Sequence, residues 1–213
     1  MGFLNQSRQL VADNLSIARG DRLLFKYLSF SLDNGSVLHL EGQNGSGKTS
    51  LLRTICGLSK PLEGTISWCG DSTDVLAEDF FQQLLYIGHL PGIKEELSAI
   101  ENLEFSLTLA GLKSEQASIR NVLEELGLKR CMDLPSRYLS QGQKKRVALA
   151  RLWLQTSPLW VLDEPFTALD VSAVDMLKQR VEDFASQGGI VIMTTHQALQ
   201  MQVPDLVRLR LNS

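Results

Sequence analysis

The sequence predicts an α/β fold: a mostly parallel sheet with crossover helices, an antiparallel edge sheet and a helical insertion. Three observations carry this. Apolar, β-branched runs alternate with helical patterns, the order that builds a parallel sheet. A glycine-rich loop at 42–47 follows directly on one such run and leads into a helical one. The middle third loses its strand-like runs and turns helical before they return.

The elements follow in order. Leu10–Ile17 reads as a strand, Leu28–Leu32 alternates as a second, and Ser36–Glu41 runs into the glycine-rich loop. Leu51, Leu52, Ile55 and Leu58 then fall at helical spacing, with Gly57 near the end. Thr65–Trp68, between Gly64 and Gly70, is a short edge-sheet strand. Ile100–Leu109 and Ser118–Leu126 are helical and are broken by Gly111 and Gly127. Leu159–Leu162 and Ile190–Thr194 return as strands around a helix near Ser172–Ala185, and Leu206–Leu211 is the last strand. One domain is expected over 1–213, with 1–88 and 152–213 as its α/β core and edge sheet and 89–151 as its helical part. No appended regulatory domain is expected after the last strand.

Composition sets outer limits. The 213 residues are 44% hydrophobic and 21% charged, enough to bury a core. The net charge is −3, which argues against nucleic acid as a main partner. No apolar run reaches the roughly 18–20 residues that cross a bilayer. The N-terminal segment lacks the apolar core of a secretory signal, and a lone Gly2 is no lipidation signal. Cys56, Cys69 and Cys131 are odd in number and lack C-x-x-C spacing, so a reducing cytosol is expected, with no disulfide framework or zinc site.

Gly42-Gln43-Asn44-Gly45-Ser46-Gly47-Lys48-Thr49 fits G-x-x-x-x-G-K-[ST], with a strand before it and a helix, beginning Lys48-Thr49-Ser50, after it. Successive backbone N–H groups and a helix N-terminus make a concave anion site, and glycine lets that backbone approach phosphate. Lys48 would reach the β- and γ-phosphates of a bound nucleotide and the Thr49 hydroxyl would ligate Mg²⁺.

Leu159-Trp-Val-Leu-Asp163-Glu164-Pro165 is an apolar strand ending in two acids. A buried parallel strand reads as a continuous apolar run, and ligands gather at strand C-terminal ends. Asp163 is expected to hold Mg²⁺ through water. Glu164, which Pro165 biases toward extended geometry, is expected to orient or deprotonate an attacking water.

Leu139-Ser140-Gln141-Gly142-Gln143 opens a further helix whose apolar face includes Val147, Ala150 and Leu154. Ser140 and Gln143 fit a capping box, a sufficient structural reason by itself. The segment also resembles the LSGGQ signature of ATP-binding cassette ATPases. The order of phosphate loop, helical insertion, signature, acidic strand end, Ala168-Leu169-Asp170 and Thr194-Thr195-His196 matches that family over nearly the whole chain. The resemblance implies a P-loop NTPase of cassette type acting as a head-to-tail homodimer when ATP is bound. Ser140, Gly142 and Gln143 would bind the ATP held by the other cassette, Ser140 and Gly142 at its γ-phosphate. Asp170 would link the two sites, and His196 would contact the γ-phosphate and help position the water.

Three departures stand out. His89 occupies the place where the family offers Gln to metal and water; an imidazole is not an amide and can titrate near neutral pH. Arg19 stands where an aromatic side chain commonly stacks on adenine, and a guanidinium also stacks on a base. Gln141 replaces the first glycine of the signature.

A narrower resemblance is to the ATP-binding subunits of the cytochrome c maturation system. It rests on Ile87-Gly-His-Leu-Pro-Gly-Ile-Lys94, Arg146-Val-Ala-Leu-Ala-Arg-Leu-Trp-Leu154, Leu162-Asp-Glu-Pro-Phe-Thr-Ala-Leu-Asp170 and Gln187-Gly-Gly-Ile-Val-Ile-Met-Thr-Thr-His-Gln197. His89 belongs to that narrower pattern. The resemblance implies integral membrane partners that move haem or release a haem-loaded chaperone, with this chain on the cytoplasmic face of a bacterial inner membrane. Direct haem binding is not expected: there is no C-x-x-C-H or Cys-Pro, and only His39, His89 and His196 supply imidazoles. His39 reads as a core or strand-end residue. The alternatives are a soluble cassette such as an iron–sulfur assembly scaffold and a nucleotide-gated binding module with negligible ATPase.

Overall fold

The computed structural model describes residues 7–74, 77–113, 115–195 and 200–211. The chain divides into two compact units. One comprises 1–86, 157–164 and 181–213, the other 87–156 and 165–180.

The first unit carries two sheets. β1 (Gln9–Arg19), β2 (Arg22–Asp33), β4 (Glu63–Trp68) and β5 (Asp71–Ser72) pair antiparallel in the order β2-β1-β4-β5. β3 (Ser36–Glu41), β6 (Leu84–Ile87), β7 (Leu159–Leu162), β8 (Ile190–Thr194) and β9 (Asp205–Arg210) form the second sheet, ordered β6-β7-β8-β3-β9. In it β7 with β8, β8 with β3, and β3 with β9 run parallel. These central strands are the continuous apolar runs of the sequence because both of their faces are covered. On one face Leu38, Leu40, Val161 and Ile192 share a core with Leu51, Leu52 and Ile55 of α1 (Lys48–Ile55). On the other, Trp160 stacks on Phe184 with ring centroids 3.6 Å apart. Phe184 lies near the C-terminal end of a long helix, Val171–Ser186. Burying each such Leu or Ile contributes about 1.5–3 kcal/mol.

The alternating residues place the chemistry. With period two, Asp163 and Thr194 fall on the face of Val161 and Ile192, the one that α1 covers. The first turn of α1 therefore meets the C-terminal ends of β7 and β8.

The second unit is helical. Between α1 and it lies α2 (Ala77–Gln82), in the first unit; then come α3 (Ala99–Leu109), α4 (Gln116–Glu125), α5 (Gln141–Leu149) and α6 (Arg151–Leu154). The long helix Val171–Ser186 is α7. Leu103, Leu107, Ile119, Leu123, Val147 and Ala150 are among the buried side chains of the unit's core. Ser98 and Glu101 close a reciprocal capping box at the start of α3. The predicted strands and long helices are all present. Among the described residues β5, α2, β6 and a 3₁₀ turn at Ser136–Tyr138 are additions; each is six residues or fewer, too short to show a period. The single helix expected after the signature is two pieces, α5 and α6, meeting at Ala150, whose own backbone is helical.

Asn102 organises the segment before α3. It is 3% exposed, its Oδ1 accepts from the Lys94 N–H at 2.8 Å, and its Nδ2 lies 2.9–3.1 Å from the Lys94, Leu97 and Ser98 carbonyls and the Ser136 Oγ. One amide thus ties the segment 94–98 to α3 and to the turn at Ser136. Asn102→Ala is expected to cost about 1–3 kcal/mol in denaturant unfolding, through the buried polar groups it abandons. Asn102→Asp, which faces the same oxygens with no donor, should cost more. Equal stability of all three proteins would contradict this reading.

Candidate functional site

The phosphate loop leaves β3 and enters α1 through positive-φ glycines that the packing demands. Gly42 has φ 152°, and a Cβ there would come within 2.6 Å of the Ser46 Oγ and 2.9 Å of the Leu211 carbonyl. Gly47 has φ 101°, and its Cβ would press on Phe25 and Leu24 at 3.1–3.2 Å. Both are places where only glycine fits without displacement. Lys48 is 7% exposed and folds back over the loop, donating to the Gly42 and Gln43 carbonyls at 2.7 and 3.1 Å. The Ser46 Oγ is buried with no partner among the described residues. A cradle of glycine backbone around a lysine parked on two neutral carbonyls is built for an anion that offers the lysine better acceptors.

One cleft in this unit is lined by Arg19, Leu24, Asn44, Gly45, Gly47, Lys48, Thr49, Ser50 and Glu164. The structure so brings together the loop, the predicted base-stacking arginine and the predicted catalytic acid. Asp163 lies beneath, 2% exposed. Its Oδ2 accepts from the Thr49 hydroxyl at 2.9 Å and its Oδ1 from the Thr194 hydroxyl at 2.8 Å. The donor set around it, a carboxylate and two hydroxyls, is hard oxygen throughout, which fits Mg²⁺ and not a thiophilic metal. Nearby, burial and then the Asp163 charge push the Tyr86 phenol up to about 12, so it stays protonated at neutral pH. Burial likewise pushes the Cys56 thiol up to about 12, leaving it inert.

The expectation that Pro165 keeps Glu164 extended is not met. Glu164 has φ 48°, in the left-handed region, which costs a non-glycine residue about 1–3 kcal/mol. The tertiary hold that overrides the local preference is on its backbone: the Glu164 N–H donates to the Thr194 Oγ1 at 2.8 Å. Thr194 is the site neighbour that sequence reasoning passed over. Its signal was a lone polar residue ending the otherwise apolar run Ile190–Thr194. His39 is 6% exposed inside β3, with ring nitrogens 3.4 Å from the Thr195 carbonyl and 3.5 Å from the Glu41 carboxylate; of the two expected roles it has the core one. His196 lies outside the described residues.

The remaining predicted residues belong to the helical unit. His89 is exposed in the segment after β6. Ser140 is the N-cap of α5: its Oγ accepts from the Gln143 N–H at 3.2 Å, and the Gln143 Oε1 accepts from the Ser140 N–H at 2.8 Å. The capping box is therefore real. It uses the serine oxygen as acceptor, which is compatible with the hydroxyl proton donating to an anion. Asp170 accepts from the Ala173 N–H at 2.9 Å, capping α7, and pairs with Arg146 at 3.5 Å. Gly142 faces the Ala168 carbonyl so closely that a Cβ would lie 2.6 Å from it.

That contact gives opposite predictions of sign. Helix propensity alone would make Gly142→Ala stabilising by about 1 kcal/mol. The clash with a backbone oxygen makes it destabilising by about 1–3 kcal/mol instead, and we expect the latter in denaturant unfolding. A more stable alanine variant would remove the packing reason for this glycine.

Comparison with known proteins agrees with this geometry. The ABC transporter family model matches residues 25–167. The cytochrome c biogenesis ATP-binding export protein CcmA of Nitrosomonas europaea is 50% identical over 192 residues, covering 90% of each chain. Among solved structures, an ABC transporter ATP-binding protein from Pyrococcus furiosus superimposes with a TM-score of 0.82 at 26% identity, over 95% of this chain and 97% of that one. A dimeric ATP-binding cassette in a post-hydrolysis state with ADP and phosphate shares the fold at a TM-score of 0.77 and 24% identity, over 88% of each. The chain belongs to the ABC transporter ATPases and, within them, to the family of cytochrome c biogenesis ATP-binding export proteins.

Proposed function

We propose that this chain is the ATP-hydrolysing subunit of an ABC transporter complex for c-type cytochrome biogenesis. It would work as a pair of cassettes on the cytoplasmic face of a bacterial inner membrane, coupled to integral membrane subunits of the cytochrome c maturation complex. The observation that carries the reading is the single cleft holding Lys48, Thr49 and Glu164 above the buried Asp163. The 50% identity to an export ATPase of that pathway supports the narrower assignment. The dimeric neighbour with ADP and phosphate supports the pairing. Among the described residues no helix is long and apolar enough to cross a membrane, which fits a subunit that docks on membrane partners.

The chemistry follows from the residues. On ATP binding Lys48 leaves the Gly42 and Gln43 carbonyls for phosphate oxygens, while the N–H groups of 43–49 and the Ser46 and Ser50 hydroxyls surround the phosphates. Arg19 lays its guanidinium on the base. The Thr49 hydroxyl and the Asp163 carboxylate are the groups that would hold Mg²⁺. When bound, that ion would supply positive charge to offset the phosphates. Glu164 accepts a hydrogen bond, and then the proton, from the attacking water, and His196 is assigned to the γ-phosphate. Ser140 and Gly142 of one cassette close on the γ-phosphate held by the other, with Gln143 fixing the serine and Asp170 linking the sites. His89 and the helical unit carry the change to the membrane subunit. ATP closes the pair because it, and not ADP, offers the γ-phosphate that these contacts grip.

Two variants test this. Glu164→Gln keeps the shape but not the base, and should retain ATP, trap a dimer in size-exclusion chromatography and lose about 10²–10⁴-fold in phosphate release. Lys48→Ala should lose nucleotide affinity itself. Undiminished turnover in Glu164→Gln would remove the base assignment, and a wild-type chain that binds ATP without releasing phosphate would make it a nucleotide-gated module.

A further inference from the structure

The hydroxyl of Thr194 occupies a position that few side chains could fill. It donates to the Asp163 Oδ1 and accepts from the Glu164 N–H, both at 2.8 Å. Asp163 offers only acceptor oxygens there and the peptide N–H only a proton, so the group between them must donate and accept at once. Thr194 is fully buried, at the last register position of β8, opposite Leu40 of β3. It has no room to rotate toward solvent, and its backbone is fixed by the parallel ladder.

Resting on the function proposed above, we infer that Thr194 is a positioning residue for hydrolysis. Its one hydroxyl couples the carboxylate of Asp163 to the backbone of Glu164 and so sets where the Glu164 carboxylate points. Two features make the coupling consequential. Glu164 leaves the strand with φ 48°, a conformation that needs an external hold, and the bond to Thr194 is on that residue's own N–H. The second Asp163 oxygen is bound by Thr49 of the phosphate loop at 2.9 Å. An unbroken chain of three hydrogen bonds therefore runs from the first turn of α1, through Asp163 and Thr194, to the backbone of the catalytic acid. A shift of Thr49 when nucleotide arrives is transmitted along this chain to Glu164. Thr194 is not among the residues that line the cleft and acts through Asp163 and Glu164.

The test compares Thr194→Val, which keeps shape and removes the hydroxyl, with Thr194→Ser, which keeps the hydroxyl and removes a methyl. In steady-state phosphate release Thr194→Val is expected to lower kcat about ten- to a hundredfold, the usual effect of a misplaced reacting group. Its affinity for ATP measured in EDTA, without metal, should stay within about twofold of the parent, because no group on the phosphates has changed. Amide hydrogen exchange at Glu164 should accelerate in Thr194→Val and not in Thr194→Ser, and the serine variant should recover most of the lost kcat. Thr194→Cys, with a weak thiol donor and acceptor, stands in if the valine variant does not fold. Parental kcat in Thr194→Val, or an equal loss in Thr194→Ser, overturns the inference. If the parent chain releases no phosphate, the proposed function fails, yet the exchange rate at Glu164 still decides whether the bridge holds.

Discussion

The carboxylate of Asp163 is the point on which the α/β unit depends. It directly follows β7, is 2% exposed, and receives one hydroxyl from the start of α1 and another from the end of β8. A carboxylate removed from water needs strong partners, since an unpaired one costs several kcal/mol. Two neutral hydroxyls satisfy its geometry but bring no positive charge. This imbalance is what the proposed Mg²⁺ would relieve, and the same two hydrogen bonds tie the phosphate loop to the ends of β7 and β8. Lys48, parked on two carbonyls, is poised in the same sense. The site is assembled in advance, with donors held by contacts weaker than those a triphosphate would offer.

In the helical unit the residues proposed for recognition also have packing roles. Ser140 and Gln143 cap α5, Asp170 caps α7, and Gly142 is required by the nearness of the Ala168 carbonyl. Each has a local structural reason to be what it is. These same reasons hold the signature segment rigid, and a rigid donor surface loses little entropy when it closes on an anion.

Much of this was legible in the sequence because its signals are short-ranged. The central strands read as apolar runs, and the phosphate loop is contiguous and falls between a strand and a helix. Thr49, Asp163 and Glu164 were assigned from strand ends and motif spacing alone, and the structure brings them to one place. What escaped were features set by contacts between distant segments. The extended geometry expected for Glu164 from Pro165 is a two-residue rule, and it yields to a hydrogen bond from thirty residues away. Thr194 looked like the end of a strand because its role exists only where β8 lies beside β7. β5, α2 and β6 are too short for periodicity to announce them.

The proposed function has this ATPase driving a membrane assembly of the cytochrome c pathway. The most direct measurement is a mild-detergent purification of tagged Glu164→Gln protein with ATP, with the bound proteins identified by mass spectrometry and haem by its absorbance. Multi-spanning membrane subunits of cytochrome c maturation are expected in stoichiometric amounts, with haem only where those partners are present. Recovery of a permease for another cargo, or of no membrane protein at all, would contradict it.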